Sequence, residues 1–293
     1  MKEIKSLRLL ITSRCPYKCF YCHKEGMKFS VPELLTASDY KYFVGLLKDN
    51  FRLEKVTLTG GDPFCRRDIW DISKSIKESK VFLIIITKGM LIKKIGIVDQ
   101  INFTIDTLDR NKYTKITGVD KKLLQKTICK LIKAKSMGIK VVINTPLSKN
   151  INDDKESFEK LLFFCKKYKI DEWKLIEEMS VDKNNQETFY LEEYANRMGI
   201  IKQFRRIRNY KLSLNHRGVF ITLYRCHCNA IKLLNKYISE SLFFDPAGNI
   251  LLCMQNNKKI NLLDFIKKRD DNSIIKTIDN IDFKKICPIL KLK

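Results

Sequence analysis

The chain has 293 residues, of which 44% are hydrophobic and 10% aromatic, a composition that supports a substantial core and excludes an intrinsically disordered protein. Its formal net charge is +24, but the lysines are scattered through nearly every predicted helix, which argues against a nucleic-acid-binding stripe. An anionic small molecule or an acidic peptide fits this charge equally well as a partner.

The amino terminus lacks the features of an export signal. Residues 1–6 lead directly into an apolar run, without the hydrophobic segment and the small-residue cleavage site of a signal peptide. The most apolar run, VFLIIIT at residues 81–87, is far shorter than the roughly 20 residues that span a bilayer, so we predict a buried central strand there. We therefore expect a cytoplasmic protein with no membrane partner.

Strand-like and helix-like segments alternate over the first 180 residues. Strands are predicted at residues 7–12, 55–59, 81–87, 101–106, 140–145 and 172–176, and helices at residues 37–49, 68–79, 121–136 and 155–168. This pattern indicates an α/β fold of the partial (β/α)6 TIM barrel type, three quarters of a complete barrel. Polar residues that carry chemistry should then lie at the carboxyl ends of the strands.

The alternation ends after residue 180. A predicted helix at residues 191–208 is followed by strand-like segments at 211–223 and 242–253, and the sequence FFDPAGNILLC is typical of a β-hairpin. We therefore predict two domains, a barrel over residues 1–208 and a small β-rich, metal-binding C-terminal appendage over residues 209–293.

Three of the ten cysteines lie close together after the first predicted strand. Cys15, Cys19 and Cys22 have the spacing CxxxCxxC, and in a chain without an export signal such a group favours metal or redox chemistry over disulfides. A zinc site would need a fourth ligand, and iron–sulfur clusters also normally take four thiolates. Three thiolates at this spacing therefore leave one iron open.

This motif, with Tyr21 directly before the third cysteine, resembles that of the radical S-adenosylmethionine (radical SAM) superfamily. The resemblance implies that Cys15, Cys19 and Cys22 are catalytic residues that hold a 4Fe-4S cluster, whose open iron binds SAM. It further implies that an electron from the cluster cleaves SAM to a 5′-deoxyadenosyl radical, and that a donor such as flavodoxin or ferredoxin supplies the electron.

The sequence TLTGGDPF, after the second strand, resembles the GGE motif of the same superfamily. Adjacent glycines at Gly60 and Gly61 let the backbone approach a ligand closely. Asp62 stands where the superfamily has a glutamate that pairs with the ammonium group of SAM. We expect this shorter carboxylate to keep that role.

Further SAM contacts are expected where the third to sixth strands end. The candidates are Thr87, Thr104, Asp106, Asn144, Glu177 and Met179. In ITKGM the residues Thr87 and Gly89 match the Thr-Asn-Gly of the superfamily, whereas Lys88 departs from it. For Thr87, Thr104 and Asn144 a structural hydrogen bond at the strand end is an equally good interpretation.

A second group of cysteines lies in the last quarter of the chain. Its members are Cys226, Cys228, Cys253 and Cys287. Their position around the predicted hairpin resembles the Twitch type of auxiliary domain, which holds a second 4Fe-4S cluster. A structural zinc site is the alternative, because four cysteines, or three with His227, complete a tetrahedral shell. The remaining Cys65, Cys129 and Cys165 are predicted to be ordinary small residues, with Cys129 and Cys165 in the cores of amphipathic helices.

Within the superfamily, residues 1–180 resemble the GTP 3′,8-cyclases of molybdenum-cofactor biosynthesis. LRLLITSRCPYKCFYC, LTGGDPFCRRDIW, TIDTLDRNKYTKITG and INTPLSKNINDD follow the pattern of that group. The resemblance implies that Arg8, at a triphosphate-contacting position, and Arg66, after the glycines, bind substrate. The second cysteine group departs from the cyclases, because its pair is CxC rather than CxxC, and Val142 replaces a GTP-binding lysine.

We therefore predict a relative of the cyclases that abstracts hydrogen from a small-molecule or peptide substrate in a natural-product, peptide or cofactor biosynthetic pathway. GTP 3′,8-cyclase activity is the alternative. Two alternatives come from other classes: a zinc-dependent nucleic-acid-binding protein, which leaves residues 60–62 unexplained, and an electron-transfer iron–sulfur protein, which needs no six-unit barrel.

Overall fold

The structure is a computed structural model that describes residues 2–27, 30–177, 191–200, 211–225, 228, 231, 241–253 and 258–282. Six parallel strands lie side by side in chain order at the centre of one sheet. They are β1 (Ser6–Thr12), β2 (Lys55–Gly60), β3 (Phe82–Thr87), β4 (Gln100–Thr104), β5 (Lys140–Leu147) and β6 (Glu172–Glu177). These positions confirm the predicted α/β class and the six predicted strands.

Helices connect these strands. They are α1 (Ala37–Phe51), α2 (Ile69–Lys77), α3 (Arg110–Thr117), α4 (Lys122–Ser136), α5 (Lys155–Lys167) and α6 (Leu191–Arg197). The sequence predicted all of them except α3, although α6 ends at Arg197 rather than at the predicted residue 208. Helix α1 begins with an N-cap at Thr36, which forms a capping box with Asp39. No helix in the described ranges is long and apolar enough to cross a bilayer.

The C-terminal strands extend both edges of the same sheet. They are β7 (Lys211–His216), β8 (Val219–Tyr224), β9 (Ser241–Phe244), β10 (Asn249–Leu251) and β11 (Lys259–Asn261), followed by α7 (Leu263–Lys268) and α8 (Asp271–Asp279). Strand β8 pairs with β6 and strand β9 with β1, both in parallel. Strands from both sides of the predicted domain boundary therefore share one sheet, whereas the boundary at residues 208 and 209 lies outside the described residues and stays a prediction.

Two hairpins shape the sheet edges. The predicted hairpin joins β9 and β10, which pair antiparallel. The segment predicted at residues 211–223 is a second hairpin, because the chain reverses at Arg217 and Gly218. Both of these residues have positive φ, 53° and 85°, the geometry of a tight hairpin turn, and Asn215 accepts a hydrogen bond from the amide of Gly218.

Alternation along β1 separates the helix-covered core from the barrel interior. Leu7, Leu9 and Ile11 are fully buried in the cluster that the first helices cover, whereas Arg8 points to the other face. The core continues beneath β6, where the buried Trp173 stacks on Phe158 with ring centroids 5.2 Å apart. Hydrophobic burial on the outer face therefore leaves the inner face of the barrel free to carry polar groups.

The two cysteines predicted in helix cores behave differently. Cys165 is buried in α5, as predicted. The prediction for Cys129 is wrong, because this side chain is exposed on α4. The buried face of α4 is formed by Leu124, Thr127, Leu131 and Ala134. Residues on the same face of a helix are three or four positions apart. None of these four residues is three or four positions from Cys129, so Cys129 lies on another face of α4.

Arg66 connects three segments behind the strand ends. Its buried guanidinium donates hydrogen bonds to the carbonyl groups of Ile11 and Leu35, both at 3.1 Å. It also forms a two-bond ion pair with Asp68, at 2.9 and 2.7 Å. The structure thus places this predicted substrate-binding residue away from the cavity described below, in a position that stabilises the fold.

Replacing Arg66 with alanine leaves those two carbonyl groups without their donors. We expect the free energy of unfolding to fall by about 2–3 kcal/mol, the usual cost of unsatisfied buried polar groups. Urea denaturation of the purified chain measures this change. The exposed neighbour Arg67 supplies the control, because Arg67→Ala should change stability by less than about 0.5 kcal/mol. Equal stability of the two variants would contradict the role assigned to Arg66.

Candidate active site

The inner face of the barrel encloses a cavity of about 1050 Å³. It is bounded by the inward-facing residues of β1 to β6, by β8 and β9, and by the loop after β1. Twelve of the nineteen predicted site residues line it: Arg8, Cys15, Cys19, Tyr21, Cys22, Gly60, Gly61, Asp62, Thr87, Thr104, Asn144 and Glu177. The strand-end rule therefore located the cavity from sequence.

The three cysteines lie on the loop between β1 and α1, which is anchored on α3. Lys18 donates its amide hydrogen to the carbonyl of Thr117 at 2.9 Å, and Phe20 donates to Ile116 at 3.3 Å. Tyr17 is buried in a small cluster against α3 and α4. These contacts fix the backbone of the loop on both sides of Cys19. The cysteines therefore border the cavity on a segment whose position is fixed.

The donor set is compatible with an iron–sulfur cluster. Cys15, Cys19 and Cys22 all line the cavity, and thiolates are the usual ligands of such clusters. Cys15 and Cys22 are exposed and Cys19 is half-buried. Partial burial raises the pKa of the Cys19 thiol to about 11, and metal binding would release the thiol protons.

Glycine is required at positions 60 and 61 because the backbone at the end of β2 lies very close to the backbone that follows β1. A Cβ atom on Gly60 would lie 2.2 Å from the carbonyl oxygen of Thr12, and one on Gly61 would lie 2.0 Å from that of Arg14. Gly61 and Asp62 donate amide hydrogen bonds to these same two carbonyls, at 2.8 and 2.9 Å. The glycines therefore join the end of β2 to the cysteine loop, which is a more specific role than the ligand approach that the sequence suggested.

Asp62 is buried and its carboxylate accepts hydrogen bonds from within the protein. The hydroxyl of Thr87 donates to both oxygens at 3.0 and 2.8 Å, and the amides of Phe64 and Lys88 donate at 3.1 and 3.2 Å. Burial raises the pKa of Asp62, while these donors act against that rise. Asp62 and Thr87 thus both line the cavity, but their side chains bond to each other rather than standing ready to bind a ligand.

A charged network that the sequence did not predict adjoins the cysteines. The ammonium of Lys88 lies 2.5 Å from a carboxylate oxygen of the fully buried Asp106, and Tyr21 donates its hydroxyl hydrogen to the other oxygen. Burial alone would lower the pKa of Lys88, but the charges of Asp106 and Cys19 and the hydrogen bond to Asp106 together raise it. The predicted SAM contact Asp106 is therefore already committed to protein partners.

Asn144 has an unused acceptor in the cavity wall. Its Oδ1 is buried and has no hydrogen-bond partner among the described residues, which is costly unless a ligand supplies a donor. Its neighbour across the β4–β5 pair is Thr104, which also lines the cavity. Glu177 lies buried at the end of β6, whereas Met179 lies outside the described residues. An orphaned acceptor of this kind fits a cofactor site.

Part of the cavity lining is basic. Lys55 and Lys174 line it together with Arg8. Arg8 forms a two-bond ion pair with Glu25, at 2.7 and 2.6 Å, and Glu25 reaches it from the cysteine loop with φ at 49°, in the left-handed region. Lys174 lies 3.4 Å from Glu172. Its pKa is lowered, first by burial and further by the charges of Lys211 and Lys55.

The second cysteine group is only partly described. Cys228 and Cys253 are both half-buried, and neither lines the cavity. Cys226, His227 and Cys287 lie outside the described residues. The auxiliary metal site therefore stays a prediction.

Comparison with known proteins identifies the family. The model of the Radical SAM superfamily matches residues 9–165 of the chain. A probable GTP 3′,8-cyclase of Methanococcus aeolicus is 28% identical over 287 residues, which cover 89% of this chain and 93% of that protein. A probable GTP 3′,8-cyclase of Pyrococcus horikoshii is 33% identical over 164 residues, which cover 52% of this chain and 50% of that protein.

Solved structures agree on the fold. The crystal structure of Streptococcus suis SuiB bound to S-adenosylmethionine has a TM-score of 0.69 at 19% identity and covers 99% of this chain and 72% of SuiB. The structure of anSMEcpe with bound AdoMet has a TM-score of 0.59 at 11% identity and covers 96% of this chain and 87% of that protein. The cysteine spacing, the barrel and the family match lead to one conclusion: the chain belongs to the Radical SAM superfamily and is a SAM-dependent enzyme.

Proposed function

We propose that this enzyme abstracts hydrogen from an anionic substrate, either a small molecule or a peptide, held in the barrel. The observation that carries the proposal is the single cavity that brings together three cysteines, an orphaned asparagine oxygen and a basic interior. The cysteine loop, Lys55 and Lys174 line the same cavity. Cofactor and substrate would therefore meet within one cavity.

Cys15, Cys19 and Cys22 would hold the 4Fe-4S cluster. When bound, the cluster supplies the electron that cleaves SAM to a 5′-deoxyadenosyl radical. Asn144 would accept a hydrogen bond from SAM with its unused Oδ1, beside Thr104. We propose that flavodoxin or ferredoxin reduces the cluster in the cytoplasm.

The barrel interior would select the substrate. Lys55 and Lys174 offer two ammonium groups, of which Lys174 lies at the longer distance of 3.4 Å from its partner Glu172. Glu25, by contrast, pairs closely with Arg8 through two hydrogen bonds. Apolar side chains that line the same cavity, among them Ile84, Ile86 and Phe243, would exclude water from the radical. A carboxylate or phosphate group attached to an otherwise less polar molecule fits this mixture.

A second candidate is GTP 3′,8-cyclase activity in molybdenum-cofactor biosynthesis. It is favoured by the similarity to probable GTP 3′,8-cyclases over 89% of this chain and by the basic interior. Against it stand the ion pair that occupies Arg8 and the CxC spacing of Cys226 and Cys228. A peptide substrate is supported by the similarity to SuiB, which was also solved with its precursor peptide SuiA.

The role of the C-terminal cysteines is proposed from their resemblance to the cysteines of an auxiliary cluster domain. We propose that Cys226, Cys228, Cys253 and Cys287 hold a second 4Fe-4S cluster, with zinc as the alternative metal. The predicted division into a barrel and an appendage at residue 209 belongs to the same proposal. Iron, sulfide and zinc analysis of the purified protein would distinguish these metals.

Replacing Cys19 with alanine removes one of three cluster ligands. We expect production of 5′-deoxyadenosine from SAM, after anaerobic reconstitution and dithionite reduction, to fall to background, because two thiolates do not retain the cluster. The matched control is Cys129→Ala, since Cys129 is exposed on α4 and outside the cavity. Equal production by both variants would refute the assignment of Cys19.

The lysines that line the cavity should bind anions, and removing one of them should weaken that binding. We expect GTP and inorganic tripolyphosphate to bind the wild-type protein, and Lys174→Ala to weaken that binding about tenfold, as expected for loss of one charged hydrogen bond. Isothermal titration calorimetry measures this, and Lys126→Ala, an exposed change on α4, is the control. Unchanged affinity in Lys174→Ala would contradict the proposed anion site.

Incubation of the reconstituted enzyme with SAM and GTP separates the two candidate activities. Conversion of GTP to a cyclised nucleotide, detected by mass spectrometry, would select the cyclase. We expect GTP to be recovered unchanged, because Glu25 already occupies the guanidinium of Arg8.

A further inference from the structure

Lys88 places a buried positive charge directly beside the cysteine loop. Its ammonium forms an ion pair with Asp106 at 2.5 Å and lies 3.3 Å from the hydroxyl of Tyr21. The rings of Tyr17 and Tyr21 cover it, with centroids 5.6 and 5.8 Å away. Only 10% of the Lys88 side chain and none of the Asp106 side chain is exposed to solvent. Both charges are therefore fixed in position and weakly screened.

The two charges act on Cys19 in opposite directions. A negative charge on Cys19 would be attracted by the ammonium of Lys88 and repelled by the carboxylate of Asp106. Tyr21, two residues after Cys19, connects the loop to this pair through its hydroxyl group.

We propose that Lys88 and Asp106 form a fixed charge pair that sets the reduction potential of the cluster on Cys15, Cys19 and Cys22. This inference rests on the proposed function, since it requires the cluster. Lys88 raises the potential and Asp106 lowers it. Lys88 is a positioning residue in this account, because it acts through the loop and the cluster.

The physical reason is the charge of the added electron. Reduction by a low-potential donor adds one electron to the cluster and makes it more negative, so a nearby cation favours the reduced state and a nearby anion disfavours it. Because Lys88 and Asp106 are buried, water screens their charges less than it screens charges on the surface. The cation does not move when the electron arrives, since two tyrosine rings and a carboxylate hold it.

The test is a set of redox titrations on the reconstituted full-length protein without SAM, followed by electron paramagnetic resonance. We expect Lys88→Met to shift the midpoint potential to more negative values and Asp106→Asn to shift it to more positive values. The double variant should return towards the wild-type value, because both charges are absent. Lys88→Arg, which keeps the charge, and Lys93→Met, which changes an exposed lysine, should leave the potential unchanged.

A purely structural role gives a different result. If Lys88 only anchored the loop, Lys88→Met and Asp106→Asn would shift the potential in the same direction or leave it unchanged, and either outcome would overturn the inference while the proposed function stands. If Lys88→Met fails to assemble a cluster, the shift in Asp106→Asn still decides the sign, and an unchanged potential in Lys88→Arg still shows that the charge at residue 88 is what matters. Failure of the wild-type protein to take up iron and sulfide would overturn the proposed function and this inference together.

Discussion

The site depends on one close backbone contact, between the end of β2 and the chain that leaves β1. The amides of Gly61 and Asp62 bond to the carbonyls of Thr12 and Arg14, and side chains at Gly60 or Gly61 would overlap those oxygens. This contact fixes where the cysteine loop starts. The loop is then held at its far side by α3, through Lys18 and Tyr17, so that the thiols meet the cavity at a defined place.

The parallel strands could be predicted because each is a short apolar run bounded by polar residues, as burial on the helix-covered face demands. Helix α3 was missed because it is short and mostly polar, although Asp109 caps its start and Gly118 ends it in the left-handed conformation. The turn at Arg217 was missed because arginine is rare at positive φ. The exposure of Cys129 depends on the register of α4, which the composition of that helix did not reveal.

The cavity followed from the rule that strand ends meet, and Asn144 was predicted by that rule, whereas the cysteines and the glycines were predicted from their motifs. The partners of the charged residues could not be predicted. Lys88 pairs with Asp106, and Arg8 pairs with Glu25, across elements whose relative positions only the folded chain defines. These pairs change the expected chemistry, because Asp106 and Arg8 were predicted to face ligands and instead hold a lysine and a glutamate of the protein.

The central claim is that Cys15, Cys19 and Cys22 hold a cluster with an iron open to SAM. Electron paramagnetic resonance of the reduced, reconstituted protein, recorded before and after addition of SAM, tests it most directly. The account predicts a signal of a reduced 4Fe-4S cluster that SAM alters and that is absent when all three cysteines are replaced by alanine. A wild-type protein without such a signal, or with one that SAM leaves unchanged, would contradict it.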